Sequence, residues 1–226
     1  MEIKESRYNF SEMHQRMQFY VDAGILPCCA TAVFKGTDLV DHQTFGFMDL
    51  ETREPLRDDA IYRMASNTKL VTSVALMMLQ EEGLFDLDDP LAKFIPEFGE
   101  LQVLQPDAAT AADVHPAKNL ISIRHLLSHS AGLSYGFVEP DSVIDQCYLN
   151  GGVSGLGEKD IDLEELCAGI AKLPLAFEPG TSWRYSFATD VCARLVEVLS
   201  GQSFDAFLRQ RIFDPLGMVD TDFWVP

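Results

Sequence analysis

The sequence predicts a mixed α/β (α+β) fold in which an antiparallel hairpin is followed by a succession of helices. Three observations carry this. Two β-rich runs flank the turn-forming residues Gly36-Thr37-Asp38. The most apolar stretch of the chain, Leu70 to Leu79, has the length and the stop signal of a buried helix. Several amphipathic segments downstream end at Gly or Pro. With 226 residues, 47% of them apolar, the chain can bury a sizeable core as one large domain or two small lobes.

From about Asn9 to Ala23, Phe10, Met13, Met17 and Tyr20 recur every three or four positions, which predicts a first helix stopped by Gly24. The runs Ala30–Phe34 and Leu39–Met48 then read as two strands joined by turn chemistry. Asp49 to Arg63 is polar and irregular. From Ser66 to Glu82 a helix carries apolar residues around most of its circumference, so it is expected at the centre of the fold, with Gly83 as its stop. Pro90, Pro96, Pro106 and Pro116 break the next stretch into short turns and a loop, up to a compact helix at Ile123–His129 that Ser122 is placed to cap. The Gly-rich run Asn150 to Gly157 reads as a loop. A helix follows from about Leu163 to Leu173, capped by Asp160 or Asp162 and ended by Pro174. Glu178-Pro179-Gly180-Thr181 turns the chain into Tyr185, and the last two helices run from Ala188 to Ser200 and from Ser203 to Phe213.

Composition excludes several classes of function. The formal charge of −18, with no cluster of Lys and Arg, argues against nucleic acid, because binding a polyanion requires cations that neutralise phosphates. Acidic runs such as Asp86-Leu87-Asp88-Asp89 and Glu158-Lys159-Asp160-Ile161-Asp162 read as solvated loops and helix starts. No apolar run approaches the roughly 18 residues of a membrane span, and Met1 to Glu5 begin no signal peptide, so a cytoplasmic location is expected. Five cysteines, including adjacent Cys28 and Cys29, form neither a disulfide framework nor a zinc pattern and are expected as small buried hydrophobes. Neither a metal nor a cofactor is expected.

Ser66 and Lys69 stand three apart at the start of the apolar helix, which places the amine and the hydroxyl on one face. Burial beside an apolar helix disfavours a charged amine, and such a lysine accepts a serine proton; the helix dipole favours negative charge developing on the serine oxygen. Ser-x-x-Lys alone is weak evidence, since a chain of this length contains about one by chance. An N-capping Ser66 with a solvated Lys69 is the plain alternative. Tyr185, after a Pro-Gly turn and just before a helix, is the candidate third group that passes protons, against the commoner role of a core aromatic.

The run Tyr62-Arg63-Met64-Ala65-Ser66-Asn67-Thr68-Lys69, then Glu82-Gly83-Leu84-Phe85-Asp86-Leu87-Asp88-Asp89-Pro90, and then Ile123 to Leu133 resemble the serine β-lactamase-related family. That family comprises class C β-lactamases, D-alanyl-D-alanine peptidases, β-lactamase-fold esterases and acyltransferases. Glu178-Pro179-Gly180, Tyr185-Ser186, Leu199-Ser200-Gly201 and Phe213-Asp214-Pro215-Leu216-Gly217-Met218 continue the resemblance in the same order, over nearly the whole chain. It implies a β-lactamase/transpeptidase-like fold, an antiparallel sheet flanked by helices plus a helical lobe. Residues 1–85 and 187–226 would belong to the α/β lobe and residues 86–186 to the helical one. It also implies an acyl-enzyme mechanism, with Ser66 as nucleophile, Lys69 and Tyr185 shuttling its proton, and the backbone N–H of Ser66 as one oxyanion donor.

Two departures limit the transfer. The family's second motif is usually Tyr-x-Asn, whereas here Tyr185-Ser186-Phe187 lacks the carboxamide. With Phe187 expected as an apolar wall, a small ester is favoured as substrate over a β-lactam or a peptide. The third motif, a Lys-Thr-Gly or its His or Trp variant on a late strand that also gives the second oxyanion donor, is absent from the 226 residues. Two strands are also too few to cover a buried helix. Both gaps are met if a further C-terminal segment, or a second chain, completes the sheet.

Rival readings remain. Gly132-Leu133-Ser134-Tyr135-Gly136 matches a nucleophile elbow, but the residues before it are helical and no histidine follows it. His125 and His129 have metal-ligand spacing without a third ligand nearby, and packing or capping is their expected role. From another class, the chain reads as a non-catalytic binding protein or an incomplete fragment of the fold.

Overall fold

The computed structural model describes residues 8–153 and 161–224. Residues 154–157 of the expected Gly-rich loop, and Asp160, lie outside the described residues. The chain divides into two compact units, one up to Arg63 and one from Met64 onward. The expected lobe limits near 85 and 187 fall inside the second.

In the first unit, α1 (Ser11–Asp22) ends just before Gly24, whose φ of +68° turns the chain out of the helix. β1 (Cys28–Lys35) and β2 (Asp38–Asp49) form the predicted hairpin; Lys35 pairs with Asp38 across a two-residue turn, and Gly36 supplies the positive φ of +61°. The segment expected to be irregular holds a third strand, β3 (Glu54–Pro55), paired with β2; two residues carry no periodicity to detect. α1 packs on this ladder, and His14 Nε2 lies 2.9 Å from the Asp41 carboxylate. Cys28 and Cys29 on β1 are only partly buried, in contrast to Cys147, Cys167 and Cys192, which are core residues; all are free thiols.

The second unit opens with a 3-10 turn at Ala65–Asn67 that runs into α2 (Thr68–Glu81). α2 buries Thr72, Ala75, Leu76 and Leu79 against α6 (Ala188–Ser200), but Leu70 and Val74 are 69% and 52% exposed. Its expected burial at the centre of the fold is therefore corrected to burial of one face, although apolar residues cover most of its circumference. Between Pro90 and Pro116, β4 (Gln102–Leu104) and β5 (Val114–Pro116) pair antiparallel, and β4 also pairs with the segment around Leu175. α3 (Ile123–Leu127) is capped as expected: Ser122 Oγ accepts from the His125 N–H, and His125 Nδ1 accepts from the Ser122 N–H.

α4 (Val143–Asn150), capped by Ser142, was not predicted; its fully buried Asp145 interrupts the apolar pattern that would have revealed it. α5 (Leu163–Ile170) is capped by Asp162. α6 ends at Gly201 in the left-handed region, where the sequence placed its end. The last predicted helix is instead α7 (Phe204–Leu208), a π-turn over Arg209–Phe213 and α8 (Asp214–Leu216). The core of this unit runs from Ala75, Leu76 and Leu79 of α2 through Ile123 and Leu126 to Val191, Leu195 and Val196 of α6. No helix among the described residues is long and apolar enough to cross a membrane.

Candidate active site

Ser66 sits on the 3-10 turn and Lys69 in the first turn of α2, so the chain change from turn to helix places them one turn apart. The preceding residue, Ala65, has φ of +44°, a left-handed conformation that costs a non-glycine residue roughly 1 to 3 kcal/mol. Ser66 is exposed and does not cap the helix: the cap position is Asn67, which makes no side-chain capping bond. Its hydroxyl instead accepts a hydrogen bond from the Tyr185 O–H at 2.7 Å, across 119 residues of sequence.

Tyr185 is held there by backbone. The segment 129–134 hydrogen-bonds along 176–187, with Ala176 N–H to Gly132 O at 2.7 Å, Gly180 N–H to Ser130 O at 2.9 Å and Arg184 N–H to His129 O at 2.9 Å. Only glycine fits at 132, where φ is +83° and a Cβ would lie 2.4 Å from the Phe177 carbonyl oxygen. Lys69 Nζ lies 4.8 Å from the Tyr185 ring centre and 5.6 Å from that of Tyr135. Burial pushes the Tyr185 phenol up, but hydrogen bonding with Lys69 and Ser66 and the Lys69 charge outweigh it, leaving its pKa below the ordinary tyrosine value. A phenol of this kind gives up its proton more readily than a free one.

The second unit thus brings Ser66, Lys69 and Tyr185 together. Phe187 is a correction. It is 2% exposed, its ring 4.4 Å from that of Tyr135 and stacked on that of Tyr148 at 6.1 Å, because it stands at the N-cap of α6 and packs inward; it offers no wall to a substrate. Neither a carboxamide nor an open apolar surface therefore stands at that position. The aromatic residues that do reach the surface beside the site are Trp183, 65% exposed and edge-on to His129, and Phe137, stacked on Tyr135 at 4.8 Å.

The rival serine, Ser134, is fully buried. It donates to Asp145 and accepts from Arg184 Nε at 2.6 Å, and Arg184 Nη2 lies 3.0 Å from Asp145. Its hydroxyl is enclosed within an ion pair and cannot meet a substrate. His125 is occupied by the α3 cap, and His129, with φ of +53°, packs its ring 5.0 Å from that of Tyr185. Burial, and then the Lys69 charge, hold the His129 imidazole below the usual histidine range. Its place against Tyr185 escaped the sequence, as did that of Asp190 on α6, whose carboxylate lies 3.4 Å from the Tyr135 hydroxyl. No sequence signal links these residues; the fold alone brings them together.

A family model described as Beta-lactamase matches residues 13–226. An uncharacterized protein of Mycobacterium tuberculosis is 35% identical over 205 residues, 90% of this chain and 49% of that protein. Esterase EstB of Burkholderia gladioli is 35% identical over 179 residues, 79% of this chain and 42% of the esterase. Among solved structures, EstCE1, described as a hydrolase with promiscuous acyltransferase activity, superposes with a TM-score of 0.77 at 26% identity over 92% of this chain and 51% of its own. The chain spans about half the length of the relatives it matches.

Proposed function

The chain belongs to the Beta-lactamase family and shares its fold, and from that premise we propose that it carries the nucleophile half of a serine hydrolase acting on small esters through an acyl-enzyme. The observation that supports this most is the 2.7 Å contact of the Tyr185 hydroxyl with Ser66 Oγ, with Lys69 beside the Tyr185 ring. In the resting site the phenol donates to the serine. Once the phenol has passed its proton to solvent, with the Lys69 ammonium beside the phenolate, the phenolate accepts the Ser66 proton as Oγ attacks the ester carbonyl carbon. The tetrahedral intermediate collapses, the alcohol leaves with the proton, and an acyl ester on Ser66 remains. Water then attacks that ester, releases the acid and restores Ser66; an alcohol in place of water gives acyl transfer, as EstCE1 is described to do.

The N–H of Ser66 is assigned as one oxyanion donor. The second is assigned to a strand outside these residues, from a further segment or a second chain, and Leu70 and Val74 on α2 form the apolar surface such a layer would cover. An ester is favoured over a lactam because Ser186-Phe187 supplies no carboxamide and Trp183 and Phe137 give the rim an apolar surface.

Incubation with a fluorophosphonate followed by intact-mass and peptide analysis tests this. One adduct is expected, on Ser66 and absent in Ser66→Ala, and, with the strand that gives the second oxyanion donor supplied, p-nitrophenyl butyrate is turned over faster than nitrocefin. An unlabelled Ser66 together with an untouched ester overturns the enzyme reading, and faster cleavage of nitrocefin overturns the ester preference.

A further inference from the structure

Asp190 lies in the first turn of α6, on the helix that packs against α2. Acidic residues are common in first turns, where they face solvent and interact with the helix dipole. Asp190 departs from that pattern. It is partly buried, and Tyr135, only 6% exposed, directs its phenol O–H at the carboxylate across 3.4 Å. The ring of the same Tyr135 stands 5.6 Å from Lys69 Nζ and 5.4 Å from the Tyr185 ring. Tyr135 therefore touches every member of the proton path except Ser66.

Burying a carboxylate is costly unless a cation or donors compensate. Burial pushes the Asp190 carboxyl up, and the groups that oppose this are the Lys69 charge, its own backbone N–H and the Tyr135 hydroxyl. The other ionisable groups around it are Tyr185 and the thiols of Cys167 and Cys192, which burial keeps neutral. Lys69 is the cation of this set.

We propose that Asp190 is a positioning residue for Lys69: its carboxylate, steadied by the Tyr135 hydroxyl, draws the Lys69 ammonium into the space between the Tyr135 and Tyr185 rings, where the amine faces the Tyr185 oxygen. The inference rests on the reading of Ser66, Lys69 and Tyr185 as the reacting groups. It adds a carboxylate to a proton path otherwise made of an amine and a phenol, and it gives the buried Asp190–Tyr135 contact a use.

The test reads Lys69 directly, without need of turnover. In protein labelled with 13C-lysine, the Lys69 13Cε signal is assigned by its loss in Lys69→Met and followed against pH. Asp190→Asn is expected to move its midpoint down by about one pH unit, the direction set by loss of a neighbouring negative charge. Tyr135→Phe moves it less in the same direction, Asp190→Glu restores part of the shift, and Asp205→Asn on α7 leaves it in place. Should Asp190→Asn not fold, the reciprocal measurement serves: in Lys69→Met the Asp190 13Cγ midpoint rises by a similar amount. A midpoint that stays put in whichever of these variants folds overturns the inference. Phosphonylation of Ser66 is expected to slow 10- to 100-fold in Asp190→Asn, with rescue in Asp190→Glu. A wild-type Ser66 that takes no label would instead count against the proposed function, and the Lys69 titration would still decide the role of Asp190.

Discussion

Two serines in this chain carry a hydrolase signature, and their surroundings are opposite. Ser66, in Ser-x-x-Lys, is exposed, sits next to a strained Ala65, and has a phenol on its hydroxyl with an amine behind it. Ser134, in Gly-x-Ser-x-Gly, is sealed in the core between Asp145 and Arg184. The nucleophile of the proposed function needs an approach path and a proton acceptor that is free to change state; Ser66 is exposed and has the Tyr185 phenol against its hydroxyl. Ser134 has neither, since its partners are charges already bound to each other. Their hydrogen bonds have a different consequence: they fasten the loop before α4 to Arg184, the residue adjacent to Tyr185. The second serine thus helps to place the partner of the first.

Breaking the buried side of the comparison should cost the most. Asp145 is fully buried and accepts from Ser134, from the Glu139 N–H at 2.6 Å and from Arg184 at 3.0 Å. Asp145→Ala leaves the Arg184 guanidinium, whose side chain is 13% exposed, without its inner partner, and a loss of roughly 3 to 5 kcal/mol in urea unfolding is expected. A loss below about 1 kcal/mol would mean that Glu139 alone satisfies Arg184, at 2.7 Å, and that the inner pair contributes little. Ser134→Ala is the smaller perturbation. It removes one donor from Asp145 and one acceptor from Arg184, for an expected roughly 1 to 3 kcal/mol. Labelling of Ser66 should persist in this variant at a temperature where it remains folded; loss of label with the fold intact would make Ser134 part of the chemistry and dissolve the distinction.

Which of these features could be read in advance follows from how local their causes are. The end of α6 at Ser200 was legible because Gly201 takes the left-handed conformation a helix stop needs, and the Ser122 cap because its partner is three residues away. The hairpin was legible through its alternation and its turn. β3, β4 and β5 were not, because strands of two or three residues carry no period. Ser66 and Lys69 stand one turn apart and could be paired from spacing, and Tyr185 was a candidate from its place between a Pro-Gly turn and a helix, to which a resemblance added its role. Phe187 was misplaced because sequence gives its distance from Tyr185 but not the direction it faces, and at the N-cap of α6 it turns inward. Tyr135 and Asp190 are 55 residues apart, and only the packing of α6 against the segment after α3 brings them together.

The smallest expected effect concerns protonation. The Ser66 side includes a histidine that leans on its tyrosine, whereas the Ser134 network of Asp145, Arg184 and Glu139 contains none. Burial holds both His129 and the capping His125 below the usual histidine value, so between that value of about 6.5 and their lower folded values the unfolded chain binds protons that the folded chain does not. Folded-state stability therefore falls as pH is lowered through this window and is fully present above it. His129→Asn isolates the contribution beside the site, because asparagine tolerates the φ of +53° at this position better than most residues. The melting temperature of this variant should fall less steeply than that of the wild type below about pH 6.5, with the two curves separated by a constant offset above it. An unchanged slope would assign the whole acid sensitivity to His125 and its cap, and would leave the ring of His129 as packing for Tyr185 without an electrostatic part.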